Sequence, residues 1–317
     1  MAKTNKLDAV VAIGVFDGLH AGHRALIAHA LEEARARGVS CVVVTFAPDP
    51  AEVVARPVPN TRLLSCADRL DALRGTGADE VVPLSFTPEL AALPCERFVA
   101  EVLCTRMRPV SVHVGQNFRF GVRGSGDVQT LRVLGDRFGF EVHAHGLVAS
   151  GGEPVSSTRI RGLLAAGRLR EANDLLGRSH FVRGRVVHGR GEGTSFGFPT
   201  ANVRCDPMDC LPAEGVYACY VMRGEDVWPA AANVGAPPSF SASEPAFLEA
   251  NLIGFEGDLY DAEVVVTFEA WLRASRVFDS LEELEQTVLG NIAWVREHLL
   301  GRSSNLFEPS SQGGEPA

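Results

Sequence analysis

Apolar residues fall along the 317-residue chain in two different rhythms. In the first half they come as unbroken runs between amphipathic stretches. Residues 9–15 (AVVAIGV) show no alternation, the pattern of a parallel strand buried on both faces. Residues 23–38 set Leu26, Ile27, Ala30 and Leu31 on one helical face, with Gly38 as the stop. Residues 39–46 (VSCVVVTF) return to an unbroken apolar run. Strand, helix, strand in that order predicts a βαβ unit with a right-handed crossover. The pattern continues with a strand near 81–85, a helix near 96–107 and a strand at 110–115. A helix near 127–138, a strand near 141–148 and short helices at 157–166 and 169–176 follow. The first half therefore reads as an open, doubly wound α/β domain.

After about residue 178 the rhythm changes. GRVVHG, GVYACYVM, DVWPAAANVG, AFLEANLIGF and AEVVVTFEAWL are short strand-prone runs separated by Gly, Pro and Asp clusters. They predict antiparallel β-structure, better closed as a small barrel than split as a sandwich. Residues 280–300 read as one terminal helix, with Ser280 and Glu283 spaced as a capping box. Residues 303–317 are polar and rich in Gly, Pro and Ser, and are expected to be disordered.

Charge follows the same division. Residues 1–178 carry 21 Lys+Arg against 19 Asp+Glu, whereas residues 179–317 carry 9 against 20, for a net charge of −9 overall. That balance argues against a general nucleic-acid binder. Lys3 and Lys6 are the only lysines, so no Walker-A loop exists and phosphate must be handled by Arg, His, backbone N–H groups or a metal. Seven irregularly spaced cysteines without a CxxC pair are no disulfide framework, which points to a cytoplasmic protein. The eight-residue apolar run at 9–16 is bounded by Asp8 and Asp17 with no later cleavage-like site, so it reads as a buried strand rather than a signal peptide, and no run approaches the ~20 residues of a membrane span, so no membrane association is expected.

Three constellations carry chemistry. The first, Gly14-Val-Phe-Asp-Gly-Leu-His-Ala-Gly-His23, lies where a strand gives way to a helix, at the edge where open α/β sheets bind ligands. His20 and His23 can face one substrate beside helix N–H groups that favour anions. A plain turn with incidental histidines and a zinc site are the alternatives, although no third ligand sits at helical spacing. The second, Ser156-Ser-Thr-Arg-Ile-Arg161, opens a helix with three hydroxyls and two arginines, a phosphate-binding set or simply an N-cap with surface arginines. The third is His188-Gly-Arg-Gly-Glu-Gly-Thr-Ser-Phe-Gly-Phe-Pro-Thr-Ala-Asn202. Its glycines can cradle phosphates or form an ordinary glycine-rich hairpin. Thr200 and Asn202 share one side of an extended segment and offer oxygens suited to Mg²⁺. Alternation sets Glu249 and Asn251 on one strand face, either as surface residues or with Glu249 as a general base.

The first two motifs together resemble the HxGH nucleotidyltransferases. Residues 1–178 are similar to the FMN adenylyltransferase module of bacterial FAD synthetases, supported by TFAPDP (45–50), GQNFRFG (115–121) and LLGR (175–178). From about 180 to 300 the chain resembles riboflavin kinases, on GFPTAN (197–202), GVYA (215–218), NVG (233–235), GDLYD (257–261) and WLR (271–273). The whole is thus similar to bifunctional riboflavin kinase/FMN adenylyltransferases. Asp49 and Asn251 stand where that family commonly has His, Ser239 where it has Thr, and Gly254 where it has Asp.

The resemblance implies a Rossmann-like α/β HxGH nucleotidyltransferase domain at 1–178, then a small antiparallel β-barrel kinase domain with a C-terminal helix at 179–302 and a tail at 303–317. It implies catalytic roles for His20, His23, Arg161 and Glu249. Nucleotide contacts fall to Gly14, Phe16, Asp17, Gly22, Asn117, Ser156, Ser157, Thr158, Gly189, Gly191 and Gly193, and a metal to Thr200 and Asn202. Mg²⁺ is the implied cofactor, ATP the co-substrate, and riboflavin and FMN the flavins. A weak homo-oligomer is compatible with the sequence. Retention of one activity only, and a non-catalytic flavin-binding regulator, are the rival readings.

Overall fold

A computed structural model describes residues 7–54, 62–189, 198–235, 247–301 and 306. The expected tail at 303–317 lies outside the described residues, apart from Leu306. The chain divides into two compact units, Met1–Val58 with Leu64–Ser157, and Pro59–Leu63 with Thr158–Ala317.

The first unit is built on five parallel strands: β1 (Asp8–Ile13), β2 (Ser40–Ala47), β3 (Glu80–Ser85), β4 (Arg108–Gly115) and β5 (Glu141–His145), in the order β3-β2-β1-β4-β5. The unbroken apolar runs occupy the sheet's centre, where Val10, Val11 and Ala12 of β1 and Val43 and Val44 of β2 are buried. Covering both faces of a strand removes the need for alternation. Helix α1 (Ala21–Arg37) connects β1 to β2, and Gly38 ends it in the left-handed conformation. Helices α2 (Pro50–Val54) and α3 (Cys66–Arg74) lie between β2 and β3. The helix expected at 96–107 is helical but irregular. Short helices α4 (Pro88–Ala91), α5 (Cys95–Arg97) and α6 (Cys104–Arg106) accompany a π-helical stretch at Phe98–Leu103. Helix α7 (Val128–Phe138), capped by Asp127, precedes β5, and a minor pair, β6 (Ala149–Ser150) and β7 (Glu153–Pro154), follows it.

The second unit begins with α8 (Ser157–Ala165), whose first residue is still counted with the first unit, and α9 (Leu169–Leu176). Six antiparallel strands then close into a barrel: β8 (His180–Val187), β9 (Ala201–Cys205), β10 (Gly215–Arg223), β11 (Asp226–Gly235), β12 (Phe247–Leu252) and β13 (Glu263–Arg273). Closure leaves no open edge on so small a sheet. Asn173 of α9 ties helix to barrel, donating to Phe268 O at 2.9 Å and accepting from His180 N at 2.8 Å. Helix α10 (Leu281–Leu299) packs Val295 and Leu299 against Ala218 and Tyr220 of β10. Ser280 caps it by accepting from Glu283 N at 3.2 Å, but the Glu283 carboxylate reaches Asp279 N rather than Ser280 N. The capping box is therefore displaced by one residue on its return bond.

Candidate functional site

In the first unit β1 stops at Ile13 and the chain turns sharply before α1. Phe16 and Leu19 both adopt positive φ, 58° and 43°. Non-glycine residues held there store local strain, a feature that gathers at ligand-binding turns. The turn is pinned on several sides. Asp17 is buried, its carboxylate accepts from Leu64 N at 3.3 Å, and its carbonyl accepts from Ser157 Oγ at 2.9 Å. Thr45 Oγ1 donates to Val15 O at 2.9 Å. Asp17 and Ser157, both expected at nucleotide contacts, thus also hold the loop in shape.

His20 is the N-cap of α1, with its Nδ1 accepting from His23 N at 3.4 Å. The two imidazoles stack at 3.6 Å between centroids, and Phe16 meets His23 edge-on at 5.4 Å. Gly22 makes room for this, because a Cβ there would come within 3.3 Å of the His20 ring. Burial lowers His20 to about 4, helped by the charge of Arg24. Burial also takes His23 well below the ordinary imidazole range, and His20, Arg24 and Arg69 add to the shift. Both rings are consequently neutral at pH 7. His23 Nδ1 is buried with no hydrogen-bond partner among the described residues. A dry, unpartnered ring nitrogen beside a helix N-terminus is suited to meeting a phosphate oxygen.

Alongside lies a cleft of about 770 Å³ lined by Gly14, Phe46, Phe86, Asn117, Phe118 and Val122 among others. Its size and apolar lining suit a planar aromatic ligand. Of the residues assigned to nucleotide contacts, Gly14 and Asn117 fall here; Phe46 and Phe118 belong to the TFAPDP and GQNFRFG stretches, whereas Phe86 has no sequence signal. Asp49 pairs with the buried Arg69, 3.5 Å from its Nη1, and accepts from Ala51 N at 2.9 Å. Thr158 and Arg161 belong to the second unit, where Arg161 Nη2 donates to Thr158 Oγ1 at 3.2 Å; Ser156 precedes α8.

The barrel carries its own cleft, of about 320 Å³, lined by Thr200, Asn233, Glu249, Asn251, Arg273 and Phe278 among others. Thr200 Oγ1 donates to Glu249 Oε1 at 2.5 Å, and Asn251 Nδ2 donates to Pro199 O at 2.9 Å. The pairing of β9 with β12 sets Asn202 opposite Glu249. Alternation along β12 buries Leu248 and Ala250 and turns Glu249 and Asn251 to the cleft. Asn202 does not line the cleft itself. Its amide packs on Gly189, where any Cβ would collide with it. The paired Thr200 hydroxyl and Glu249 carboxylate, with the Asn202 amide on the adjoining strand, are hard oxygen ligands that fit Mg²⁺ better than a softer metal. Gly191, Gly193 and Ser239 lie outside the described residues. Arg273 ends β13 and belongs to the WLR stretch at 271–273; Arg276 and Phe278 follow the strand in a segment without regular pattern and carry no sequence signal.

A family model described as FAD synthetase matches residues 2–159, and one described as riboflavin kinase matches residues 176–299. The chain is 37% identical over 287 residues to a bifunctional riboflavin kinase/FMN adenylyltransferase of Pseudomonas fluorescens, spanning 90% of this chain and 92% of that one. It is 36% identical over 291 residues to the enzyme of the same name in Escherichia coli K12, spanning 91% and 92%. The chain belongs to the bifunctional riboflavin kinase/FMN adenylyltransferase family. Both enzymatic domains are present, and ATP is the co-substrate of both. A solved Streptococcus pneumoniae structure described as a macrolide-efflux protein superposes with a TM-score of 0.82 at 30% identity, over 92% of this chain and 95% of that one. In this chain, no helix among the described residues is long and apolar enough to cross a membrane.

Proposed function

We propose that the chain performs the two halves of FAD synthesis with separate groups, residues 179–302 making FMN from riboflavin and ATP, residues 1–178 making FAD from FMN and a second ATP. The observation that carries this reading is two separate sets of reactive side chains, the stacked pair His20 and His23 at the head of α1 and Thr200 with Glu249 in the barrel's cleft. The boundary assigned to the two activities is 1–178 and 179–302.

In the barrel, Glu249 accepts the proton of the riboflavin 5′-hydroxyl as its oxygen attacks the γ-phosphorus of ATP, and ADP departs. Thr200 and Asn202 would hold Mg²⁺, whose contribution is to neutralise phosphate charge. Gly189, Gly191 and Gly193 are assigned to the nucleotide phosphates. In the α/β unit, an oxygen of the FMN phosphate attacks the α-phosphorus of ATP and pyrophosphate departs. That nucleophile is already ionised, so positioning and charge stabilisation are the main demands. His20 and His23 supply N–H donors to the triphosphate at the head of α1, with Gly14, Phe16, Asp17 and Gly22 shaping the turn. The apolar cleft beside Asn117 takes the flavin ring. On their motif, Ser156, Ser157, Thr158 and Arg161 are assigned to phosphate oxygens. Neither nucleic acid nor membrane has a part in this reading, weak self-association is compatible with it, and the seven free cysteines suit the cytoplasm.

Incubation with riboflavin, ATP and Mg²⁺, followed by chromatography, tests it. FMN should appear first and FAD after it. FMN alone would leave a kinase, FAD only from supplied FMN would leave an adenylyltransferase, and neither product would leave a flavin-binding regulator.

A further inference from the structure

The C-terminal half of α1 faces a second group of histidines that neither half-reaction uses. Glu33 stands ten residues beyond His23, about 15 Å along the helix axis. The parallel register of β4 and β5 sets His113 beside His143. His113 Nε2 is 2.7 Å from Glu33 Oε2, and His143 Nε2 is 3.4 Å from the same oxygen. The three ligand atoms all lie within 4.8 Å of one another. His113 is almost wholly buried, with 3% of its side chain exposed. Its other nitrogen, Nδ1, is 2.9 Å from His145 Nε2, and His145 in turn stacks on His29 at 5.0 Å.

A hydrogen-bonded network alone does not satisfy this group. Glu33 faces both imidazole nitrogens, Arg37 Nε already sits 2.8 Å from its other oxygen, and the second carboxylate nearby, Glu141 Oε2, is 3.5 Å from His143 Nε2. His143 Nε2 is buried and makes no hydrogen bond, a costly state for a ring nitrogen.

We propose that Glu33, His113 and His143 bind a divalent transition-metal ion of the zinc class, with water completing the coordination. Two imidazole nitrogens and one carboxylate oxygen suit zinc rather than magnesium or calcium. Zinc bonds of about 2.0–2.1 Å in tetrahedral geometry put ligand atoms roughly 3.3 Å apart. The His143–Glu33 separation already meets that, and the His113–Glu33 pair opens slightly to reach it. A ligating imidazole ordinarily engages an outer partner through its second nitrogen, and His145 stands at that place for His113. The ion would clamp the end of α1 to strands β4 and β5, steadying the helix whose other end carries His20 and His23.

The test uses the full-length chain stripped of metal with a chelator. Co²⁺ is titrated in as a spectroscopic stand-in, followed by Zn²⁺, with isothermal calorimetry and thermal melting in parallel. One equivalent of Co²⁺ should bind and show the visible bands of a four- or five-coordinate ion, and Zn²⁺ should displace it. Zn²⁺ should also raise the melting temperature by several degrees, as selective binding to the folded state requires. Glu33→Gln and His143→Ala should each weaken binding by about 10²-fold or more, and His145→Ala by about 10–10²-fold. Melting of each variant without metal establishes that it is folded, and His143, 40% exposed, is the substitution least able to disturb the core. Binding no tighter than on the order of 1 mM, or wild-type affinity retained in both Glu33→Gln and His143→Ala, would overturn the proposal. A sulfur-to-metal charge-transfer band that survives those substitutions would move the ion to the cysteines and overturn it as well.

Discussion

The two clefts solve different chemical problems with different residues. In the α/β unit the reactive groups are neutral imidazoles stacked at the head of a helix, His20 buried and His23 half-buried. In the barrel the group is a carboxylate, half-buried and turned into an open cleft. The nucleophiles explain the contrast. An FMN phosphate arrives ionised and has no proton to surrender, so its site needs donors and a dry, fixed geometry. A ribityl hydroxyl must lose a proton as it reacts, so its site needs a base within hydrogen-bond reach. The lesson is that the protonation state of the nucleophile, rather than the shared use of ATP, decides which side chain a phosphate-transfer site requires.

The sharpest way to break this comparison is Glu249→Gln. It keeps the shape and the bond from Thr200 but removes the base. Riboflavin phosphorylation should fall by about 10²–10⁴-fold in a steady-state assay. A rate near wild type would reduce Glu249 to a strand-surface residue. His23→Ala is expected to lower FAD formation from supplied FMN by roughly 10²–10³-fold, the scale for losing one preorganised donor. A change in KM for ATP with kcat intact would instead make His23 a ground-state contact.

How far these sites were readable depends on how local their signals are. The strand-to-helix turn at Gly14–His23 announces itself because glycines, histidines and a change of periodicity fall within ten residues. Glu249 needed strand alternation together with the resemblance to riboflavin kinases, since one strand glutamate carries no local mark. The cleft of Phe46, Phe86 and Phe118 could not be read, because three separate elements bring it together. The same holds for the Glu33–His113–His143 cluster, which only the parallel register of β4 and β5 and the overlying α1 assemble. The doubly wound parallel sheet and the closed barrel were legible as classes, though the order of the strands was not. The helix near 96–107 was legible too, but its π-helical winding at Phe98–Leu103 was not, because its apolar pattern suits α and π windings alike.

A third experiment sharpens the boundary between the regions. Residues 179–317 expressed alone should make FMN. A fragment from residue 158 keeps α8 and α9, and with them the two buried hydrogen bonds of Asn173 to the barrel. At about 1 kcal/mol each, these bonds should raise its melting temperature by roughly 4–10 °C over the shorter fragment. Equal melting would show that the helices contribute nothing to the barrel. The smallest expected effect is electrostatic. Burial lowers His180 in the barrel wall to about 4, although its Nε2 bonds Cys210 O at 2.6 Å. The folded value lies below the unfolded one, near 6.5. Its contribution is therefore fully present above that pH and lost as pH falls towards 4, on the order of 2 kcal/mol by pH 5. The urea midpoint of the fragment from residue 158 should drop between pH 7 and pH 5, and the drop should shrink in His180→Asn.

The central claim is that each region carries a complete and chemically distinct site. The most direct test measures both half-reactions, riboflavin phosphorylation and adenylylation of supplied FMN, in Glu249→Gln and His23→Ala. The account requires a crossed result: the first variant loses only FMN formation and the second only FAD formation. Parallel loss of both reactions in either variant, with wild-type melting, would contradict it.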